Sequence, residues 1–590
     1  DEALTRMVPG TAQGSYAVDE LLIPYPNPWQ RRIRPIDLDF DPSGVAYMVT
    51  FDGDVYRIEG LHTLDHNEVS LRRIAAGFHD PQSIQIRGTD VFVLSRLGLT
   101  RLVDEDGDGD TDFYHMFSNE WVQSPETRAF PLSLVLMPDD SFLISIGGQQ
   151  EAHPAPHAGR VIQISATGKF ERIFAEGLRN GYVSRLGTSS RLVASDQQGN
   201  WVPATPMHHI EAGGFYGYEP GTAQPRTPDP APVWIPHRYA QCGIDTLLVD
   251  DPRAGNLFGS ALMVDFYKPS LVKIIDVLAE PLTQAVAIPF PVDFEVPYLK
   301  GEMNPHDGQP YLAGMQIWGS NAPRIEGLSR LRAVKATDDL PFAASAHAEG
   351  IWLEFREPLV AEVALDPAQY TATAWSYRRT AAYGSGQYKA DGDPGGDQWP
   401  IHSVHLSEDR TAVFLAIPRM TPTQQLEVKY RRQNGDWQKC FFTIHELPAT
   451  TAEQRRRVGV NDFATVFAAD PAPRSAPLAP LAISVERGRE LFTTYGCVGC
   501  HSTEADTEGK SGPSLRGIYQ TRRPLANGRG RTANSNYLRD SLMDPAKNLV
   551  RGYEKQDVAM PSYQGVLKSD EIDSLIMLIE SLGANGAAEE

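Results

Sequence analysis

The chain has 590 residues, 41% of them apolar and 22% charged, which excludes a disordered chain and sets an expectation of about two to four domains. Its formal charge of −21 excludes a nucleic-acid binder, because phosphate contacts need a basic face, and it also argues against an anionic membrane surface. No stretch approaches the run of about 18 apolar residues that a membrane-spanning helix requires. The chain opens at Asp1 with the polar stretch DEALTRMVPGTAQGSY, which is not a signal peptide. Residues 1–29 are set apart as an N-terminal extension.

Residues 30–335 read as short strands punctuated by turn residues, as in PIDLDFDPSGVAYMVTFDGDVYRI, QSIQIRGTDVFVLSRLGLTRL and LSLVLMPDDSFLISIGG. Asp-Pro-Ser-Gly, Arg-Gly-Thr-Asp and Pro-Asp-Asp-Ser join the apolar runs within each unit. Hairpin signals at short, regular spacing predict a β-propeller of about six blades. A single β-sandwich is the alternative, but such a domain is usually about 100 residues.

Residues 336–448 carry longer strands, among them GIWLEFREPL, TAVFLAIPRM and LEVKYRRQ, and are expected to form a β-sandwich-like domain. Residues 449–480 contain the Pro/Ala-rich TVFAADPAPRSAPLAPLA and read as a linker. Residues 481–590 are helical. VERGRELFTTYGC has helical apolar spacing, and SDEIDSLIMLIESLG aligns Ile572, Leu575, Ile576 and Ile579 on one face. Ser569 is expected as that helix's N-cap, with Asp570 and Glu571 in its first turn and Gly583 at its end.

Cys497-Val498-Gly499-Cys500-His501 is the C-x-x-C-H pattern of covalent haem attachment. Two thiols add across the two vinyl groups of one porphyrin, and the adjacent His then reaches the iron. A zinc site would need a second pair of ligands, and the chain has no second Cys pair at metal-binding spacing. Haem attachment of this kind is made outside the cytoplasm, so the sequence is read as a mature, periplasmic or otherwise extracytoplasmic chain whose export signal has been removed. Of the other two cysteines, Cys242 and Cys440 either pair or remain buried thiols.

The context GRELFTTYG, Gly512-Pro513-Ser514-Leu515 and Ala559-Met560-Pro561 resembles class I cytochromes c. The resemblance implies His501 as proximal and Met560 as distal ligand of the haem iron. Met543 and Met577 lack the loop-plus-proline setting. Both axial positions would then be filled, as suits an electron-transfer haem.

GLTRLVDEDGDGDTDFY, GLRNGYVSRLG, ASDQQGNWVPATPMHHIEAGGFYGY and NPHDGQPYLAGMQIWGS resemble the glucose/sorbosone dehydrogenase-like propellers. They also resemble the large haem-bearing propeller proteins named after Planctomycetes and Verrucomicrobia. The first group holds pyrroloquinoline quinone in the propeller mouth, and Arg179-Asn180 matches its quinone-binding pair. An Arg fork suits quinone carboxylates. The sequence departs from that group at Gly181-Tyr182, where Pro-Gln is usual, and at Ala129-Phe130-Pro131, where the catalytic His falls. His79, His153, His157, His208 and His209 are the other histidines weighed for that role, each with an ordinary reading as a hydrogen-bonded loop residue.

Asp104, Asp106, Asp108, Asp110 and Asp112 alternate, with Gly109 at the sixth position of an EF-hand-like loop and His115 in place of its final Glu. That pattern predicts a structural Ca²⁺ on the propeller rim. Asp265 and Asp293 receive no assignment.

The fold class expected is multidomain and mainly β, with a C-terminal all-α cytochrome c domain. Two functions stay open. In one, a sugar or alcohol is oxidised at the propeller by a quinone-dependent, dehydrogenase-like reaction, and electrons pass through haem to an external acceptor or redox partner protein. In the other, the propeller is a non-catalytic docking module that carries the cytochrome to a partner.

Overall fold

The computed structural model describes residues 1–62, 69–122, 124, 129–149, 155–220, 225–316, 319–432, 435–469, 484–553, 560–564 and 566–583. The hairpins of its first half stack as six antiparallel sheets in meander order. Their innermost strands are Pro35–Phe40, Ser83–Arg87, Pro131–Leu136, Tyr182–Arg185, Gly243–Leu248 and Tyr298–Met303. These six lie side by side in a closed ring, the last against the first, so the sheets are the blades of a six-bladed propeller.

The opening residues are part of that ring. Tyr16–Leu21 pairs with Glu326–Ala333 and is the fourth strand of blade six, while Glu2–Thr5 adds to Val69–Ala75 of blade one. Pairing the first strands of the chain with the last of the propeller in this way covers a bare strand edge. Asp19, fully buried, locks the closure by pairing with Arg330 at 3.0 Å.

Innermost strands of adjacent blades are not hydrogen-bonded as a sheet, so their axial N–H groups need other acceptors. Side chains supply them. Asp37 accepts from Ile84 N (3.0 Å) and Asp39 from Ile86 N (2.7 Å). Gln85 accepts from Leu136 N (3.1 Å), and Ser133 from Val183 N (3.0 Å). Ser184 accepts from Thr246 N (3.1 Å), and Asp245 from Gly301 N (3.0 Å). Each blade from the first to the fifth is thereby stapled to the next.

The sandwich grows out of blade five. Val286 and Ala287, on that blade's outer strand, pair with Phe442 and Phe441 of Trp437–Ile444, making one eight-stranded sheet that ends at Asp397–Gln398. The facing sheet is Pro341–His347, Gly350–Phe355, Ala412–Ala416 and Ser403–Leu406. Leu271 and Ile288 of the propeller share one core with Leu353, Leu415 and Val428 of the sandwich. Within the stretch read as a linker, Ala452–Arg457 and Phe463–Ala468 are helices. Val458, Val460 and Phe463 pack on Trp352 and Phe414, so this part is bound to the sandwich by apolar burial.

The last unit is helical, with Val485–Thr494 crossing Ser569–Ser581. Gly488 permits the crossing: a Cβ there would lie 2.1 Å from Ser574 O. Ile572, Leu575, Ile576 and Ile579 are buried as expected. The N-cap differs from expectation. Ser569 is already helical, and Glu571 folds back to accept from Lys568 N (3.0 Å), which places the cap one residue earlier. No helix among the described residues is long and apolar enough to cross a membrane.

Candidate redox site at the propeller mouth

Helix Val485–Thr494 ends at Gly496, whose φ of 73° is left-handed and turns the chain into the single helical turn Cys497–Cys500. His501 follows in extended conformation, and its Nδ1 lies 2.8 Å from Pro513 O. With that nitrogen donating to the carbonyl, Nε2 carries the free lone pair that a metal ligand needs. Gly512 lies against the ring, where a Cβ would come within 2.6 Å of Cε1. Burial pushes the Cys497 thiol up to about 12. The Tyr563 hydroxyl donates to Tyr495 O (3.0 Å) beneath the turn.

Cys497, Cys500, His501 and Met560 line one cavity of about 610 Å³ whose opposite wall is the propeller. Two thiols, a free imidazole nitrogen and a thioether around a largely apolar chamber fit a covalently held haem with His/Met ligation. The turn is seated on the propeller at close range. Tyr267 Oη donates to Gly496 O (3.0 Å), and a Cβ on Gly499 would fall 0.9 Å from that oxygen. Gln241 packs on Gly496 in the same way. Close by, Arg238 of the propeller pairs with Glu427 of the sandwich and interacts with Tyr495 of the helical unit, so three domains meet at one buried junction.

The propeller wall is built from the segments that enter the innermost strands: Phe130 before blade three, Arg179 and Asn180 before blade four, and His237, Gln241 and Cys242 before blade five. Two buried carboxylates hold these segments. Asp196 accepts from Arg179 N (2.7 Å) and Asn180 N (2.8 Å), and Asp265 accepts from Cys242 N (2.8 Å) and Lys268 N (2.8 Å). Burial raises both carboxylates to about 6.

Arg179 is 3% exposed, yet among the described residues it has no ion-pair partner, and its Nε lacks any hydrogen bond. Its guanidinium lies 5.4 Å from the Tyr383 ring centre. Asn180 Oδ1 is likewise buried without a partner. On the cavity wall the Arg179 Nε–H fits a ligand carboxylate or carbonyl oxygen, and the Asn180 Oδ1 acceptor fits a ligand N–H or O–H.

The four described histidines among those weighed from sequence are elsewhere. His79 is exposed beside Asp80, and His153 lies outside the described residues. His157 Nδ1 accepts from Val122 N (3.2 Å), His208 is buried against Tyr216, and His209 sits by Arg191. The mouth holds His237 instead. Its Nδ1 is buried without a partner, and burial lowers the imidazole to about 4. The signal for it was positional, since it follows the outer strand Val233–Ile235 and so falls on the route into the next innermost strand.

Cys242 and Cys440 are not joined by a disulfide. Cys440 is fully buried in the sandwich strand Trp437–Ile444, whereas Cys242 faces the mouth. In the acidic loop, Asp104, Asp106 and Asp108 bring one oxygen each within 4.8 Å of the others. Asp110 is instead engaged by Arg72 (3.0 Å), and Asp112 accepts from Glu105 N (2.7 Å).

The opposite end of the propeller axis holds a second cavity of about 460 Å³, lined by Asp37, Asp39, Asp245, Lys300 and Glu302. Burial raises Asp37 to about 6 and Asp39 to about 7.

Residues 485–583 match the cytochrome c family. Among solved structures, the chain is similar to a glucose dehydrogenase-type oxidoreductase from Thermus thermophilus, with 12% identity over 51% of this chain and 96% of that one, TM-score 0.39. It is also similar to the PQQ-bound aldose sugar dehydrogenase of Streptomyces coelicolor, with 13% identity over 56% and 98%, TM-score 0.37. A third is the apo-form of the soluble aldose sugar dehydrogenase of Escherichia coli, with 9% identity over 51% and 96%, TM-score 0.38. No curated protein sequence matches the chain. The sheet topology and the family match together make this chain a β-propeller and β-sandwich fused to a C-terminal cytochrome c domain.

Proposed function

We propose that the protein is an extracytoplasmic haem c redox protein that oxidises a hydroxyl-bearing organic substrate, a sugar or an alcohol, at the propeller mouth. Its electrons leave through the haem to an external acceptor. The observation that carries this reading is the single chamber shared by Cys497, Cys500, His501 and Met560 on one wall and Arg179, Asn180 and His237 on the other. In this reading Cys497 and Cys500 hold the haem by thioethers, and His501 Nε2 and Met560 Sδ are its axial ligands. The haem supplies one-electron transfer. Arg179 binds carboxylate and carbonyl oxygens of a quinone of the pyrroloquinoline class, the two-electron partner such a reaction needs, and Asn180 Oδ1 accepts from its N–H. Phe130 and Tyr182 exclude water from the chamber floor. Asp104, Asp106 and Asp108 hold a structural Ca²⁺ on blade two, away from this chemistry.

The second reading, a docking module with no chemistry of its own, is favoured by one observation: apolar Ala129, Phe130 and Pro131 stand where the related propellers carry their base. One experiment separates the two. The oxidised haem protein, supplied with pyrroloquinoline quinone and Ca²⁺, is mixed anaerobically with sugars and alcohols while the haem bands are followed. Haem reduction that is slowed at least about tenfold in Arg179→Ala supports the dehydrogenase reading. Reduction by dithionite alone, with no quinone retained, supports the docking module.

A further inference from the structure

The sandwich reaches the propeller mouth through one segment. Between the last two strands of the eight-stranded sheet, Tyr370–Trp375 and Asp397–Gln398, the chain leaves the sheet and runs as a loop, residues 376–396. Its sequence, SYRRTAAYGSGQYKADGDPGG, suits an irregular path, because glycine, aspartate and proline favour turns over a ladder.

The first half of this loop is strapped to the propeller beside Arg179. Trp201 N donates to Thr380 O (2.8 Å), and Gly384 N donates to Gly199 O (3.0 Å). Asn200 forms a β-bridge with Tyr383, and its Nδ2 donates to Ala381 O (2.8 Å). Arg379 donates through Nε to Gly217 O and through Nη1 to Arg226 O, both at 2.8 Å. Gly384 has a left-handed φ of 64°, and a Cβ there would lie 2.0 Å from Gln198 Nε2, so glycine is needed for so close an approach. Further on, Gly386 lies against the cytochrome, where a Cβ would come within 2.7 Å of Gln564 O. These bonds are made by main-chain atoms and by Asn200 and Arg379, so they hold the strap whichever side chain stands at 383.

What the strap delivers to the chamber is a ring. Tyr383 lines the cavity, and its ring centre lies 5.4 Å from the Arg179 guanidinium carbon. Gly199 also lies against that guanidinium, where a Cβ would fall 2.2 Å from Cζ and from Nε. The group is thus held mainly by packing. Its Nη1 donates to Gln198 O only at 3.5 Å, the far limit of a hydrogen bond, and its Nε has no partner. An aromatic face attracts a guanidinium without consuming its N–H donors, whereas a carboxylate in the same place would occupy them.

We propose that Tyr383 is a positioning residue of the mouth site. Its ring holds the Arg179 guanidinium in place and leaves the N–H donors for an anionic ligand, so the sandwich completes a site that the propeller alone does not. The proposal rests on the quinone-binding reading above. It gives the sandwich a part in ligand binding, through one side chain carried on a strap.

The test reads binding, without turnover. The whole haem-loaded protein is equilibrated with pyrroloquinoline quinone and Ca²⁺, and bound quinone is measured by dialysis. Tyr383→Ala should weaken binding about tenfold, while Tyr383→Phe, which keeps the ring, should stay within about twofold of wild type. On an Arg179→Ala background, Tyr383→Ala should add less than about a twofold loss, because no guanidinium is left to hold. Tyr383→Leu keeps apolar bulk without an aromatic face and should match the Ala result, which covers the case of an Ala variant that does not fold. Wild-type affinity in Tyr383→Leu overturns the proposal, since the ring would then serve packing alone. Equal losses from Tyr383→Ala with and without Arg179 overturn it as well, because the ring would then touch the quinone itself. A wild-type protein that retains no quinone would instead refute the quinone reading.

Discussion

The two ends of the propeller axis are made from the same six strands and have opposite character. Tyr182 and Ser184 lie two residues apart on one strand, as do Ile244 and Thr246 on another; the first of each pair faces the cytochrome and the second faces the far cavity. The cytochrome end is apolar, apart from Arg179, Asn180, His237 and glutamine side chains, and is closed by the Cys497–Cys500 turn. The far end carries Asp37, Asp39, Asp245 and Glu302, whose charges stand close together around the axis. Buried carboxylates are costly, and here Asp37, Asp39 and Asp245 are spent on stapling blades. At the other end Arg179 Nε and Asn180 Oδ1 are buried without a partner.

The largest expected effect comes from removing the haem anchor. Cys497→Ala with Cys500→Ala abolishes covalent haem, seen as loss of haem staining after denaturing electrophoresis, while the far end keeps its structure. Next is Gly499→Val, which drives a side chain into Tyr267. It should displace the cytochrome from the mouth, raising the radius of gyration in X-ray scattering, and Tyr267→Ala should partly restore docking.

At the far end, Asp37→Ala leaves the Ser83 hydroxyl and Ile84 N–H without their acceptor. It should cost about 2–3 kcal/mol in urea unfolding with the haem spectrum unchanged. Arg179→Met at the cytochrome end should do the reverse, stabilising the ligand-free protein by about 1 kcal/mol, because a guanidinium whose Nε has no partner is removed from a buried site.

The smallest effect lies away from both ends. His208, 3% exposed on blade four, is held down to about 3 by burial, against an ordinary 6.5. Its folded state stays neutral where the unfolded state binds a proton, so its contribution is present above pH 6.5 and is lost as pH falls below that value. At pH 5 the loss is about 2 kcal/mol, and His208→Gln should lack it when thermal unfolding is compared at pH 7.5 and pH 5.

The parts of this molecule that were legible in sequence are those set by local chemistry. The Cys497-to-His501 spacing is dictated by one porphyrin, and the blade hairpins by turn residues between alternating strands. What stayed hidden depends on partners far apart in the chain. Nothing local marks Tyr16–Leu21 as the strand that closes blade six, or Phe441 and Phe442 as the continuation of blade five. His237 was missed for the same reason: its importance comes from the ring of strands and not from its neighbours in IPHRYAQC. The cap falls on Lys568, one residue before Ser569, with the Glu571 carboxylate accepting from Lys568 N.

The shared chamber is tested most directly by iron-edge anomalous diffraction from crystals of the haem-loaded protein. The account predicts one iron peak between His501 Nε2 and Met560 Sδ, on the wall facing Arg179 and beside Tyr267. An iron peak outside that chamber, or a cytochrome packed away from the propeller mouth, would contradict it.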